Sequence, residues 1–252
     1  MRFYLFLFSF FLLMSCTSTK TETLETNKDR ILFVVSNQHT YRNTNINTAN
    51  HFGEIVFAYD VFIKNNYQVD FVSPKGGAIP IGYLSTSDSI HKKYIYDLQL
   101  MNKLKNTKTT NEISSKNYKA IYYVGGGAAM FGVPENTAIQ KVALDIYEHN
   151  GILSAVCHGT AGIVHIKNTN GDYIYKDKNV NAFPDKFENK NGKYYESFPF
   201  SIEQIIKERG GEFSYSDTGW DNYFIVDGRL ITGQDPTASA SVAKEIIKQL
   251  NK

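Results

Sequence analysis

Runs that are apolar nearly throughout, not at every second position, recur along this chain: Ile31–Val35 without a break, Tyr118–Val124 broken only by Lys119, and Ile152–Val156 broken only by Ser154. A strand wetted on one face alternates apolar with polar residues. Strands apolar throughout are buried on both faces, as in a parallel sheet between helical layers. The intervening segments supply those layers. Over Glu54–Asn66 the spacing sets Ile55, Tyr59, Phe62 and Ile63 on one side of a helix. Over 134–150, Ile139, Val142, Ala143, Ile146 and Tyr147 repeat at helical spacing, with Pro134 suited to the first turn and Gly151 as a stop. Val69–Val72 predicts another strand, ending in a turn at Gly76-Gly77. Residues 78–116 are polar and predict an excursion with one short helix near Ile95–Leu104. Ser201 and Gln204 are spaced for a capping box on a helix to Arg209. Tyr223–Thr232 folds as two short strands about Asp227-Gly228. Asp235-Pro236 caps a last helix whose apolar face is Val242, Ala243, Ile246, Ile247 and Leu250. Strand–helix alternation implies right-handed crossovers. The expectation is one α/β domain over 29–252: a mainly parallel sheet sandwiched between helices, with a small β-hairpin before the last helix.

The first residues do not share this pattern. Arg2 precedes an apolar run from Phe3 to Met14, too short for the roughly 20 residues that cross a bilayer but suited to a signal peptide. The run closes in Leu13-Met14-Ser15-Cys16, which resembles the lipobox of bacterial lipoproteins. On that reading residues 1–15 are removed, Cys16 is acylated, and 16–28 is a polar tether. The domain is then expected in the cell envelope, anchored to a bacterial membrane by lipid. With Lys+Arg 27 against Asp+Glu 25 the net charge is +2, so no basic surface for nucleic acid or anionic lipid is expected.

Reactive groups in such folds gather at the carboxyl ends of strands. One strand runs into Cys157-His158-Gly159-Thr160-Ala161-Gly162, a nucleophilic side chain followed by small residues. That is the grammar of a nucleophile elbow, with a helix expected to open beneath the sulfur and lower its pKa. Buried structural cysteine is the commoner fate of a lone thiol, yet His and Gly are poor core continuations. A second strand ends at Gly125-Gly126-Gly127, where backbone amides can approach a substrate and, with the elbow amides about Gly159, form an oxyanion hole. Neither a dinucleotide fingerprint nor a P-loop is present, and His39, His51, His91, His149 and His165 are scattered without metal-ligand spacing. No cofactor and no metal are expected.

Taken in order, Tyr59–Phe62 with Val69–Gly77, Val124–Gly127, Ala155–Gly159 and Val226–Pro236 resemble the ThiJ/PfpI superfamily, the class I glutamine amidotransferase-like group with a flavodoxin-like fold. The resemblance covers about 29–252 and is nearest to the glyoxalase III and stress-chaperone branch. It implies Cys157 as nucleophile, His158 as its neighbouring histidine, and Glu54 as an acidic partner at the start of the first helix. It also implies a third acid after the next strand, Glu188, with Asp185 as the alternative. The chain departs from that branch where relatives usually carry His-Gly after the Gly-Gly pair, here Gly127-Ala128, and at Phe57-Ala58, where they often carry His-Pro. The rim of the site is therefore rewritten while the nucleophile machinery is kept.

The activity so implied is a glutathione-independent glyoxalase or deglycase acting on small reactive carbonyls such as methylglyoxal. A cysteine peptidase or amidase of the same superfamily, or an envelope chaperone or redox sensor, are the alternatives, with a homodimer as a possible assembly. An amidotransferase is disfavoured, because no His-x-Glu pair follows Cys157.

Overall fold

The structure is a computed structural model that describes Met1 and residues 28–252. The expected leader 1–15, Cys16 and the tether 16–28 lie, apart from Met1 and Lys28, outside the described residues. Six strands form the central sheet: β1 Arg30–Val34, β2 Gln68–Val72, β3 Tyr118–Tyr123, β4 Ile152–Val156, β5 Phe224–Asp227 and β6 Leu230–Gly233. Their order is β2-β1-β3-β4-β6-β5, and all neighbours are parallel except the β5–β6 hairpin at one edge.

Both faces of the parallel part of this sheet are buried, as its largely apolar strands require. Ile31 and Phe33 of β1 join a core with α1 (Phe52–Lys64) and the last helix. Leu32 and Val34 face the other way, into a core with Ile139, Ala143, Ile146, Ile202 and Ile206. Each fully buried side chain of this size stabilises by about 1.5–3 kcal/mol, against about 0–1 kcal/mol for an exposed ion pair. The two sheet faces therefore dominate the energetics, and the surface charges do not.

The excursion differs from expectation. It contains two helices, α2 (Ser89–Ile95) and α3 (Leu98–Lys105), where one was predicted. The break falls at Asp97, whose carboxylate accepts from the amides of Gln99 and Leu100 and so starts a new helix. Helix α4 (Thr137–Glu148) is capped by Asn136; Pro134 lies two residues before the cap, outside the first turn where it was expected. Helix α5 (Ile202–Glu208) has Ser201 as its cap, accepting from the Gln204 amide at 3.1 Å. The Gln204 side chain instead donates to Glu208, so only half of the capping box forms. Helix α6 (Ser239–Leu250) closes the chain after a 3₁₀ turn at Pro236–Ala238, where Asp235 accepts from the Thr237 amide.

Candidate active site

The elbow at the end of β4 is real, but no α-helix opens beneath it. Cys157 has φ +57°, a left-handed conformation that costs a non-glycine residue of order 1 kcal/mol or more and persists where the surroundings enforce it. Cys157–Ile163 then runs as tight 3₁₀ turns. Gly159 and Gly162 lie against Tyr123 with no room for a Cβ, and glycine is a poor α-helix former. The expected helix dipole under the sulfur is thus replaced by nearby amides. Burial and the adjacent Glu54 carboxyl push the Cys157 thiol up, the opposite of the expected direction, while the amides of His158 and Gly126 act to lower it.

His158 is the next residue along the turn, and its Nδ1 lies 3.4 Å from Cys157 Sγ. Its Nε2 lies 2.7 Å from Glu188 Oε1, and Tyr194 donates to the other carboxylate oxygen at 3.0 Å. Glu188 is acceptor-only, so the ring proton is assigned to Nε2 and the Nδ1 lone pair faces the sulfur. The two alternatives for the third acid separate cleanly. Asp185 accepts from Ser201 and Tyr195 and pairs with Lys190, away from the imidazole. Both acids sit in the long segment between β4 and β5. The strand before them is only the pair Asn179–Val180, matched with Glu212–Phe213 outside the main sheet.

Glu54 enters from the first turn of α1 and is fully buried. Its Oε2 accepts the Gly125 amide at 2.6 Å, its carboxyl lies beside the Cys157 thiol, and its Oε1 finds no hydrogen-bond partner among the described residues. Burial raises its pKa from 4.5 to about 8, with the Gly125 amide opposing. The carboxyl group is therefore protonated at neutral pH, and it crowds a thiol that is itself held neutral.

The three glycines after β3 do different work. The Gly125 amide is committed to Glu54 and is not a free donor for a substrate oxyanion, contrary to expectation. Gly126 has φ +87°, and a Cβ there would come within 2.5 Å of the Ala49 carbonyl oxygen. Its amide faces the sulfur. Above Gly127 lies the Tyr41 hydroxyl, in the space a Cβ would need.

Several wall residues could not be found from sequence. His51 caps α1, accepting from the Glu54 amide at 3.3 Å, and Tyr83 stacks on its ring at 4.7 Å. Burial, with His91 and His158 nearby, lowers the His51 pKa to about 4. The scattered histidines 51, 91 and 158 thus converge across long sequence separations. Phe183 stacks on His158 at 5.0 Å and Trp220 packs on Phe183 at 5.9 Å; no role was foreseen for either. Among the described residues no group of three or more His, Cys, Asp or Glu side chains is placed to hold a metal ion. No described helix is long and apolar enough to cross a membrane.

A mostly parallel α/β sheet with a cysteine on a strained strand end, a following histidine and two buried carboxyls defines a class. The profile of the DJ-1/PfpI family matches residues 50–249, and the chain belongs to that family. Among curated relatives, the glutathione-independent glyoxalase hsp3102 of Schizosaccharomyces pombe is 31% identical over 220 residues, spanning 81% of this chain and 90% of its own. The solved structure of Rapid Encystment Protein 24 kDa from Francisella tularensis superposes with TM-score 0.82 at 32% identity, covering 88% of this chain and 99% of its own. Glyoxalase III of Candida albicans shares the fold, with TM-score 0.78 at 22% identity over 88% and 97% of the two chains.

Proposed function

We propose that the protein is a glutathione-independent glyoxalase converting small 2-oxoaldehydes such as methylglyoxal to 2-hydroxy acids, with Cys157 as nucleophile. The observation that carries this reading is a neutral Glu54 carboxyl beside a thiol whose proton acceptor, His158, is oriented by Glu188. Curated relatives that support the reading are named glutathione-independent glyoxalases.

His158 Nδ1 takes the thiol proton as Sγ bonds to the aldehyde carbon, and Glu54 gives its proton to the aldehyde oxygen, leaving a hemithioacetal. The Glu54 carboxylate then removes the hydrogen from that carbon while imidazolium protonates the neighbouring ketone oxygen, giving an enediol. Glu54 returns its proton to the second carbon and His158 takes the hydroxyl proton from the first, leaving a thioester. Water supplies hydroxide to the thioester carbon and a proton to Glu54. The carbon–sulfur bond breaks, His158 reprotonates the sulfur, and the hydroxy acid leaves. Every proton has a named carrier, and no redox partner is required. Amides of Gly126 and His158 stabilise negative charge on the sulfur.

The test is consumption of methylglyoxal without glutathione, with lactate as product. Wild-type protein is expected to turn over and Cys157→Ala to be inactive; equal rates from the two would overturn the reading. The Leu13–Cys16 motif supports a second part of the proposal, a lipid anchor on Cys16 in the cell envelope. In a bacterial host Cys16→Ala is expected to move the full chain from the membrane to the soluble fraction, and an unchanged distribution would remove the anchor. A homodimer belongs to the same reading, and sedimentation at the monomer mass would remove it.

A further inference from the structure

Two tyrosines outside the Cys157–His158–Glu188–Glu54 set stand beside the glycine turn that backs the thiol: Tyr41 over Gly127 and Tyr83 on His51. The short strand Ile81–Gly82 pairs in parallel with Asn50–His51, and His51 in turn donates its amide to the Gly125 carbonyl at 3.0 Å. This ladder carries Tyr83 to the edge of the elbow. There it takes φ +58°, an uncommon conformation for a bulky residue. Its ring is seated on His51 with an interplanar angle of 7°, and the side chain remains half exposed. The Tyr83 hydroxyl lies beside the Gly127 amide and the Tyr41 hydroxyl, with Cys157 in the same neighbourhood. Tyr41 itself is buried, with its hydroxyl over Gly127. Tyr83 also borders an open cleft of about 510 Å³ lined by His39, Asn47, Thr48, Ala49 and Ile81 among others. The cleft brings solvent to Tyr83, while Cys157 is only 4% exposed.

A 2-oxoaldehyde carries two adjacent oxygens. The mechanism above assigns the aldehyde oxygen to Glu54, which approaches from the α1 side. The ketone oxygen has no donor that orients it before the proton from His158 arrives. We propose that the Tyr83 hydroxyl, backed by that of Tyr41, binds this second carbonyl oxygen. Tyr83 would then be the residue that selects dicarbonyl compounds over simple aldehydes. A hydroxyl whose pKa burial holds well above neutrality stays a donor at every working pH. A side chain at 127 and the Tyr41 hydroxyl cannot occupy the same space, so Gly127 is what admits Tyr41.

This inference rests on the glyoxalase reading, and the experiment separates the two. The full chain with Tyr83→Phe is compared with wild type in two measurements. The first is kcat/KM for methylglyoxal. The second is the concentration of methylglyoxal that protects Cys157 from iodoacetamide, beside the alkylation rate with no aldehyde present. Loss of one neutral hydrogen bond to the substrate is expected to cut kcat/KM about tenfold and raise the protection midpoint by a similar factor. The unprotected alkylation rate should stay unchanged, and protection by propanal should be the same in both proteins. Unchanged methylglyoxal constants would overturn the proposal, as would a Tyr83→Phe protein whose unprotected alkylation rate also changes, which marks a structural role. If wild type is protected by methylglyoxal but never turns it over, the glyoxalase reading falls, and the shift in protection midpoint still decides the role of Tyr83. Absence of protection in wild type overturns both.

Discussion

His158 Nε2 lies 2.7 Å from Glu188 Oε1, although thirty positions separate the two residues along the chain. This contact fixes the imidazole proton on the far side from Cys157. Replacing Glu188 by Gln offers the ring an amide that can donate as well as accept, so the tautomer is no longer enforced. Glu188→Gln is expected to lower kcat for methylglyoxal about a hundredfold, the scale of a general acid–base contribution, with KM little changed. Asp185→Asn breaks surface contacts to Ser201, Tyr195 and Lys190 and should leave kcat nearly unchanged. Steady-state kinetics of both variants decide the assignment; a larger loss in Asp185→Asn would reverse it.

The buried carboxyl of Glu54 gives stability a definite pH slope. Its pKa is about 8 in the fold, against the usual 4.5, so between those values the unfolded chain has lost a proton that the folded chain keeps. The folded state binds more protons there, and stability from this group falls as pH rises from about 4.5 to about 8. Urea midpoints measured across that window should flatten in Glu54→Gln. A variant with the wild-type slope would show that the carboxyl titrates normally.

His51 acts at the acid end with the opposite sign. Its pKa is lowered to about 4, below the usual 6.5, so the unfolded chain takes up a proton first as pH falls. Stability from this group is present above pH 6.5 and is lost between about 6.5 and 4. His51→Asn retains an acceptor for the Glu54 amide and should remove that loss. Thermal midpoints at pH 7 and pH 4.5 give the comparison, and an equal drop in both proteins would exclude His51 as its source.

Asp70 on β2 is nearly buried and accepts from Arg30 at 3.1 Å and from the Tyr118 hydroxyl at 2.9 Å, with Lys108 at 3.5 Å. Asp70→Ala leaves Tyr118 and a cluster of cations without their acceptor. The expected cost is about 2–3 kcal/mol by urea unfolding with an unchanged m-value. Activity at temperatures well below the midpoint should be retained, because the cluster lies at the opposite end of the strands from Cys157. A variant as stable as wild type would mean that solvent screening has cancelled the cluster.

Gly126→Ala tests the backbone at the site. Its φ of +87° and the Ala49 carbonyl oxygen 2.5 Å from the new Cβ should destabilise by at least about 1 kcal/mol and displace the amide that faces the sulfur. Slower alkylation of Cys157 by iodoacetamide is the accompanying readout. Full reactivity in a stable Gly126→Ala protein would show that the loop can relax.

What the sequence determined by itself was everything written in short-range pattern. Apolar runs five residues long specify buried parallel strands, because such segments have no face to offer water. Helical spacing and capping residues place α1, α4 and α6 within about three residues of where they form. The strand-to-turn grammar at Cys157 marks the elbow, since the residues that force a tight turn are its immediate neighbours. Tertiary structure alone decided what depends on contacts between distant segments. That Glu188 and not Asp185 meets His158 follows from how the 165–222 segment packs over the elbow. The raised pKa values of Glu54 and Cys157 follow from desolvation, which a linear sequence does not encode. The two cysteines looked alike as letters; one lies outside the described residues, and the other owes its surroundings to α1, the glycine turn after β3 and His158 beside it.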